Sequence, residues 1–214
     1  MLDAVILGVS GVLVPSAAFG QAALEQAASR LARHGVSPAR FLDAVRSRQA
    51  LHGSKALIAR TLNDMQLHIS PALIRQVIVA VREAVPNPSV DVWTLDALRD
   101  LSARRTVGFF DRGSPAALDA CLARWGLSGF KPSSLWAEEL GAAASPPRPL
   151  AFRWLSRRLE VPPNQCLHVA GTRDSREAAR RAGWQVWPQR PPSETAMLDL
   201  WQLVDWIDGA EGVA

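Results

Sequence analysis

Three side chains that could take part in chemistry follow apolar runs that are typical of buried strands. Ser10 comes after the run from Val5 to Leu7, Asp111 follows a second run, and Asp174 comes soon after a third. In open parallel α/β sheets, the reacting groups lie just beyond the carboxyl ends of the strands. A hydroxyl and two carboxylates at that edge could orient a substrate, exchange protons or hold a divalent cation.

Two arginines could add positive charge to the same edge. Arg112 directly follows Asp111, and Arg148 precedes a predicted helix. Their guanidinium groups suit the oxygens of phosphates and carboxylates. Together with Ser10, Asp111 and Asp174, these arginines are the residues that an active site at this edge could use. The alternative is a structural ion pair or a solvated loop, because Arg112 and Arg173 are sequence neighbours of Asp111 and Asp174 and could pair with them instead.

The elements that must position these residues fall into two groups. The run from Val5 to Val14, closed by Pro15, predicts a central parallel strand that leads into a turn. From residue 16 to residue 85 the periodicity is helical. His34-Gly35 ends one helix there, and Ser37-Pro38 and Ser70-Pro71 begin others. We therefore predict a cap of four helices over 16–85.

After Pro86 the pattern changes to helices that alternate with short apolar strands. This alternation predicts a parallel sheet that is covered on both faces and joined by right-handed connections. The fold class is α/β, with the core formed by 1–15 and 86–214 and the cap inserted after the first strand. The later strands are predicted at 106–110, 133–136, 166–170 and 184–187, and the core helices at 92–101, 115–125, 149–159, 175–182 and 195–207.

The composition is that of a soluble globular protein, with 48% apolar and 21% charged residues in a chain of 214. The formal net charge is +4, and arginine supplies nearly all the positive charge because Lys55 and Lys131 are the only lysines. The arginines form no continuous tract, so we interpret them as solvated helix faces and expect no nucleic-acid partner. The main groups are Arg104 and Arg105, Arg157 and Arg158, and Arg173, Arg176, Arg180 and Arg181.

Two cysteines, Cys121 and Cys166, are too few and too far apart for a disulfide framework or a thiolate metal site. The N-terminus has no basic region before its apolar stretch, and no segment approaches about 18 uninterrupted apolar residues. These features predict a reduced, cytoplasmic setting and no membrane span.

The layout resembles the haloacid dehalogenase-like hydrolases that carry a helical cap after the first strand. Gly11-Val12-Leu13 and Ser16 match the family's first motif, D-x-D-G-V/T-L-x-D-S, and the stretches 159–163 and 177–183 match the surroundings of its last acidic motif. The resemblance covers nearly the whole chain. It implies a Rossmann-like sheet core and, for an active member, a site that holds Mg²⁺.

The reactive positions differ from the family's pattern. The family's first aspartate attacks the phosphorus or carbon centre, and a second aspartate two residues later exchanges protons; Gly8 and Ser10 stand at these positions. Gly8 cannot form a covalent intermediate. The hydroxyl of Ser10 is a poor general acid near neutral pH.

The other family positions are also substituted. Asp111 stands where a Ser or Thr holds the transferring phosphoryl group, and a carboxylate there repels an anion. Pro146 occupies the position of the family's lysine, and Gly171 and Ser175 occupy those of the carboxylates that bind Mg²⁺. We therefore expect no catalytic residue and no metal or other cofactor. We expect bound Mg²⁺ only under the alternative of an enzyme whose rearranged active site holds the ion through Asp111 and Asp174.

Three further features leave alternatives open. Lys131 could replace the missing lysine, although it comes too early. His168 could join Ser10 and Asp111 as a triad, although a buried structural histidine is the simpler interpretation of a strand position. Of the eight tryptophans, most are expected in the core, Trp154 among them, whereas some of the C-terminal helix pattern could stay exposed as an interface.

The leading hypothesis is a catalytically inactive protein that keeps its fold for binding, scaffolding or regulation, through a protein partner or as a homodimer. One alternative is a phosphatase or related hydrolase with a rearranged active site. A second is a small-molecule sensor that uses the cleft between cap and core. The sequence identifies neither partner nor ligand.

Overall fold

The computed structural model describes residues 1–46, 60–65, 70–86, 89–111, 114–140, 148–188 and 198–211. The chain divides into two compact units, one formed by Met1–Ala18 and Asn87–Ala214 and the other by Phe19–Pro86. The first contains the sheet and the second the helices that follow the first strand. Among the described residues, no helix is long and apolar enough to cross a lipid bilayer.

A five-stranded parallel sheet forms the centre of the first unit, which confirms the predicted α/β fold class. The strands stand in the order β3-β2-β1-β4-β5, so the first strand is central as its apolar sequence predicts, and all five of its residues are buried. The strands are β1 (Ala4–Gly8), β2 (Thr106–Asp111), β3 (Leu135–Trp136), β4 (Cys166–Val169) and β5 (Gln185–Trp187).

Side-chain caps fix where several helices of this unit begin. Asp91, Ser114 and Thr172 each accept a hydrogen bond from the backbone N–H three residues later, which satisfies a donor that the helix itself leaves unpaired. The described α-helices after residue 87 in this unit are α4 (Val92–Arg104), α5 (Pro115–Arg124), α6 (Pro149–Leu159), α7 (Arg173–Arg181) and α8 (Leu200–Glu211).

Several predicted boundaries are wrong by a few residues. Helix α4 continues to Arg104 and α8 to Glu211, beyond the predicted ends at 101 and 207, and β3 starts at Leu135 instead of at 133. Helix α7 starts at Arg173, two residues before the predicted start, because the hydroxyl of Thr172 caps it. Leu198 and Asp199 precede α8 instead of lying within it, and the Asp199 carboxylate accepts the N–H of Trp201 at 2.9 Å. Residues 195–197 of that predicted helix lie outside the described residues.

An aromatic cluster packs between the sheet and α6. The ring of Phe152 lies 4.9 Å from those of Phe110 and His168 and 5.3 Å from that of Trp184, measured between centroids. The indole N–H of Trp184 donates to the hydroxyl of Ser156 at 2.8 Å. These contacts fix α6 against β2 and β4, close to the carboxyl edge of the sheet.

The second unit contains α2 (Pro38–Arg46), α3 (Pro71–Arg82) and most of α1, which spans Ser16–Ala32. Residues 60–64 are also helical, whereas the first part of the predicted third helix, 57–59, lies outside the described residues. Hydroxyls cap two starts, with Ser70 accepting from Leu73 at 3.2 Å and Ser37 accepting from Arg40 at 3.4 Å. The buried centre of this unit includes Leu31, Phe41, Val45, Leu62 and Val77.

Candidate functional site

The loop after β1 and the end of β2 are joined by one hydrogen bond. The backbone N–H of Ser10 donates to Oδ2 of Asp111. Within the loop, Gly11 N–H donates to the carbonyl of Val14 at 2.8 Å, and Leu13 N–H donates to that of Val9 at 3.0 Å. The Asp111 carboxylate is therefore engaged in holding the loop, and the structure brings Ser10 and Asp111 together as structural partners.

The backbone of this loop also fills the space beside Gly171. A Cβ atom built on Gly171 would lie 2.0 Å from the carbonyl oxygen of Ser10 and 3.1 Å from the Cα of Gly11. The first distance is far shorter than any van der Waals contact, and the obstructing atom belongs to the backbone. No residue with a side chain fits at 171 unless the loop moves.

The space beside Gly8 is tight but not closed. A Cβ atom there would lie 3.3 Å from the carbonyl oxygen of Val169 and 3.5 Å from Cγ2 of Val12. A shift of a few tenths of an ångström would relieve these contacts. The two glycines at the carboxyl edge therefore differ. A small side chain could be accommodated at position 8, whereas the backbone of the Ser10 loop excludes one at position 171.

Ser175 is used within the cap of α7. Its N–H donates to Oγ1 of Thr172 at 3.3 Å, and its hydroxyl lies 3.2 Å from the Thr172 carbonyl oxygen, to which it donates. The Thr172 hydroxyl in turn donates to the Ser175 hydroxyl at 3.1 Å. The side chain is buried and oriented by the helix start.

These residues do not fit a Mg²⁺ site. Mg²⁺ prefers oxygen ligands in a near-octahedral arrangement and is usually held in proteins by one or two carboxylates. Gly8 and Gly171 offer none, and Asp111 already accepts the Ser10 amide. Across the described ranges, no group of three His, Cys, Asp or Glu side chains could hold a metal ion.

The remaining candidates are dispersed or lie outside the described residues. Arg112 and Pro146 belong to the undescribed part of the chain. Arg148 is exposed before α6 and makes no capping hydrogen bond there. Asp174 is exposed in the first turn of α7. Lys131 pairs with Asp119 at 2.8 Å on the surface, which gives it a structural role.

His168 is a buried structural residue. It is completely inaccessible to solvent, and its Nδ1 donates to the backbone carbonyl of Ile6 at 2.9 Å. Its Nε2 has no hydrogen-bond partner. Burial, partly offset by the bond to Ile6, lowers the pKa of His168 to about 4, so the imidazole is neutral at pH 7. In the described part of the chain, no hydrogen bond joins His168 to Ser10, so the structure does not assemble the triad.

Arg176 contradicts the interpretation of the arginines as solvated helix faces. Its side chain is 4% exposed, and its Nε and Nη2 have no hydrogen-bond partner. Burial and the nearby Arg180 lower its pKa. The interpretation was wrong here because α7 turns the face that carries Ser175, Ala178 and Ala179 inward, and Arg176 goes with it.

The tryptophans divide between core and surface. Trp125, Trp136, Trp184 and Trp187 are buried, as expected for most of the set. Trp154 was expected in the core and is 39% exposed, with the Arg158 guanidinium 5.3 Å from its ring centroid. The expectation was wrong because the buried face of α6 is formed by the neighbouring Phe152 and Leu155, and Trp154 lies on another face. Trp93 and Trp201 are 75% and 37% exposed.

Burial makes both thiols unreactive. Desolvation raises the pKa of Cys121 to about 12 and that of Cys166 to about 11. The thiolate is the nucleophilic form, so neither cysteine supplies a nucleophile near neutral pH.

No protein-family profile and no curated protein matches the chain, whereas solved structures match along nearly its whole length. A haloacid dehalogenase-like protein of unknown function from Agrobacterium tumefaciens is 20% identical, with 99% of this chain and 100% of that chain covered and a TM-score of 0.63. A haloacid dehalogenase-like family hydrolase from Xanthomonas campestris is 14% identical, with coverages of 99% and 94% and a TM-score of 0.61.

A third similar structure is the L-2-haloacid dehalogenase from Xanthobacter autotrophicus with chloropropionic acid covalently bound. It is 17% identical, with coverages of 98% and 99% and a TM-score of 0.59. The chain therefore has the fold of the haloacid dehalogenase-like hydrolases. At these identities the likeness concerns the fold, and function has to be argued from the residues at the carboxyl edge of the sheet.

Proposed function

We propose that this chain is a catalytically inactive protein with the haloacid dehalogenase-like fold, and that it acts by binding another protein or a second copy of itself. The observation that carries the proposal is the packing of the Ser10 carbonyl oxygen against Gly171. It closes a position at which the fold's active members place a metal-binding carboxylate. The proposal thus rests on a blocked position as well as on missing side chains.

The loss extends to each kind of catalytic group. Gly8 offers no nucleophile, and Ser10 no carboxyl group for proton transfer. Asp111 places negative charge where a donor to the phosphoryl oxygens would be needed. Each such group contributes about 10² to 10⁴ in rate in known enzymes. Their combined replacement therefore predicts the absence of the hydrolytic reaction.

Exposed apolar residues support a binding role. Trp93 and Val92 stand at the start of α4 with 75% and 67% of their surfaces accessible. Tryptophan is enriched at the buried centres of protein interfaces. Binding to a protein requires no reactive side chain, so the substitutions at the carboxyl edge of the sheet do not prevent it.

Two assays test the proposal. Purified protein is incubated with a panel of phosphate esters and 2-haloacids over a range of Mg²⁺ concentrations, and product release is compared with that of Asp111→Asn and Asp174→Asn variants. We expect no difference among the three proteins. Mg²⁺-dependent hydrolysis that either variant abolishes would establish the rearranged enzyme instead.

Light scattering over a range of protein concentrations tests self-association. The expected result for a homodimer is twice the monomer mass, with dissociation promoted by Trp93→Ser. A monomer at every concentration would exclude the second copy and leave a different protein as the partner. Trp206→Ser is the matched control on α8, because that residue is less exposed.

A further inference from the structure

A groove runs between α1 and α3 within the helical unit. Its volume is about 590 Å³, and its walls are formed by side chains from 26–33 on one side and 72–83 on the other. Small-molecule sites typically enclose about 300–1,000 Å³. All of the lining residues belong to the helical unit, so this groove is separate from the carboxyl edge of the sheet.

The groove is lined by three arginines and one carboxylate. Arg30 lies in the last turn of α1 and Arg33 directly follows the end of that helix, whereas Arg75 lies on α3 and Glu83 directly follows it. Arg30 and Arg33 both line the side of the groove that α1 and its end form. The lining therefore carries a net positive charge, and a concave surface concentrates the electric field of such charges.

These arginines have no ion-pair partner within 4.0 Å among the described residues. Within the described part of the chain, Arg30, Arg33 and Arg75 form no ion pair, whereas Arg104 pairs with both Asp100 and Asp208. The Nε of Arg30 is also buried and has no hydrogen-bond partner. A buried donor without an acceptor is unfavourable, and an oxygen anion in the groove would supply the acceptor.

The other lining groups favour a phosphate over an aromatic or apolar ligand. Gln26, Ser29 and Gln76 add neutral hydrogen-bond donors to the two walls. None of the described residues that line the groove is aromatic, so they offer no ring on which a base could stack. A phosphate group presents several oxygens and up to two negative charges, which suits the guanidinium groups of each wall.

We infer that this groove binds a small molecule with two or more phosphate groups, held between Arg30 and Arg33 at the end of α1 and Arg75 on α3. A single phosphate would engage one wall, whereas a linked pair reaches both. The inference is independent of catalysis by the sheet unit, because no group at the carboxyl edge takes part.

Calorimetric titration of the full chain with pyrophosphate, at constant ionic strength and without Mg²⁺, tests the site. We expect one site per chain, with a dissociation constant that rises about tenfold or more in Arg33→Gln and in Arg75→Gln because each removes a charge-assisted contact. Arg124→Gln, an exposed arginine on α5, is the matched control and should bind as the parent does. Circular dichroism verifies that each variant is folded.

Citrate at the same ionic strength separates phosphate recognition from a general response to anions. We expect its binding to be weaker than that of pyrophosphate. Absence of saturable pyrophosphate binding, equal binding in Arg75→Gln, or citrate binding as tight as that of pyrophosphate would each overturn the inference. None of these results depends on hydrolysis, so failure here is distinct from failure of the proposed inactivity.

Discussion

The carbonyl oxygen of Ser10 occupies the space that the Cβ of any side chain at Gly171 would need, since the two would be 2.0 Å apart. This contact joins the loop after the first strand to the loop after the fourth. The Asp111 carboxylate holds the same loop through the Ser10 amide. Asp111 and Gly171, at the carboxyl edge of the sheet, therefore help to keep the loop that follows the first strand in place.

The contact predicts unequal effects of two glycine substitutions. Gly171→Ala should lower the free energy of unfolding by about 3 kcal/mol, because the backbone of the Ser10 loop has to move. Gly8→Ala should cost about 1 kcal/mol or less, because its new Cβ would meet neighbours at 3.3 Å or beyond. Urea unfolding of both variants measures the difference. Equal losses would show that the Ser10 loop yields freely.

Restoring the first motif alone should not restore hydrolysis. The double variant Gly8→Asp and Ser10→Asp supplies the nucleophile and the acid/base group, but position 171 still excludes a carboxylate. The added carboxylates also lie near Asp111 and repel it. We expect release of phosphate from a chromogenic ester to stay at the level of the Ser10→Ala control. Mg²⁺-dependent turnover in the double variant would show that the fold needs only these two residues.

His168 predicts a loss of stability at mildly acidic pH. Its pKa is about 4 in the folded protein, below the ordinary value of 6.5, so between these values the unfolded chain binds a proton that the folded chain does not. The resulting stability is fully present above pH 6.5 and falls by about 3 kcal/mol as the pH drops towards 4. His168→Gln should flatten this dependence, measured by urea unfolding from pH 4 to 7.

The matched control for that experiment is His34→Gln, because His34 is exposed. It should leave the pH dependence as in the parent protein. Two results would contradict a neutral, buried imidazole at position 168. One is a free energy of unfolding of the parent protein that does not change between pH 6.5 and 4, and the other is the same pH dependence in His168→Gln as in the parent.

Arg176 predicts a stabilising substitution. Its guanidinium is 4% exposed, and two of its nitrogens have no partner. Replacing a buried cation by an apolar side chain of similar length removes the desolvation cost, so Arg176→Met should raise the free energy of unfolding by roughly 1–3 kcal/mol. Arg153→Met, at an exposed position on α6, should change it little. A destabilised Arg176→Met protein would show that the charge is paired in solution.

Much of the fold could be predicted because apolar periodicity and capping residues act locally. The buried first strand, the proline-started helices α5 and α6 and the change of pattern after residue 86 all follow from such signals. The missing carboxylates at positions 8 and 10 could likewise be found by comparison with a known motif. These inferences need only neighbouring residues.

The contacts between distant segments could not be predicted from those signals. The approach of the Ser10 carbonyl to Gly171 depends on the paths of two loops that are 161 positions apart, from 10 to 171. The groove is lined by Arg75 of α3 and by Arg30 and Arg33 at the end of α1, and only the last two are close together in the sequence. The prediction that Arg176 is solvated was wrong because it was based on the charge of the side chain. The position of Arg176 beside Ser175, on the buried face of α7, decides its burial instead.

Calorimetric titration of the purified full chain with Mg²⁺ is the most direct test of the central claim, because a cation site requires the carboxylates that this edge lacks. We predict no saturable binding, in the parent protein as in Asp111→Asn and Asp174→Asn. Stoichiometric Mg²⁺ binding that is lost in either variant would contradict the account and would show that the edge of the sheet still forms a metal centre.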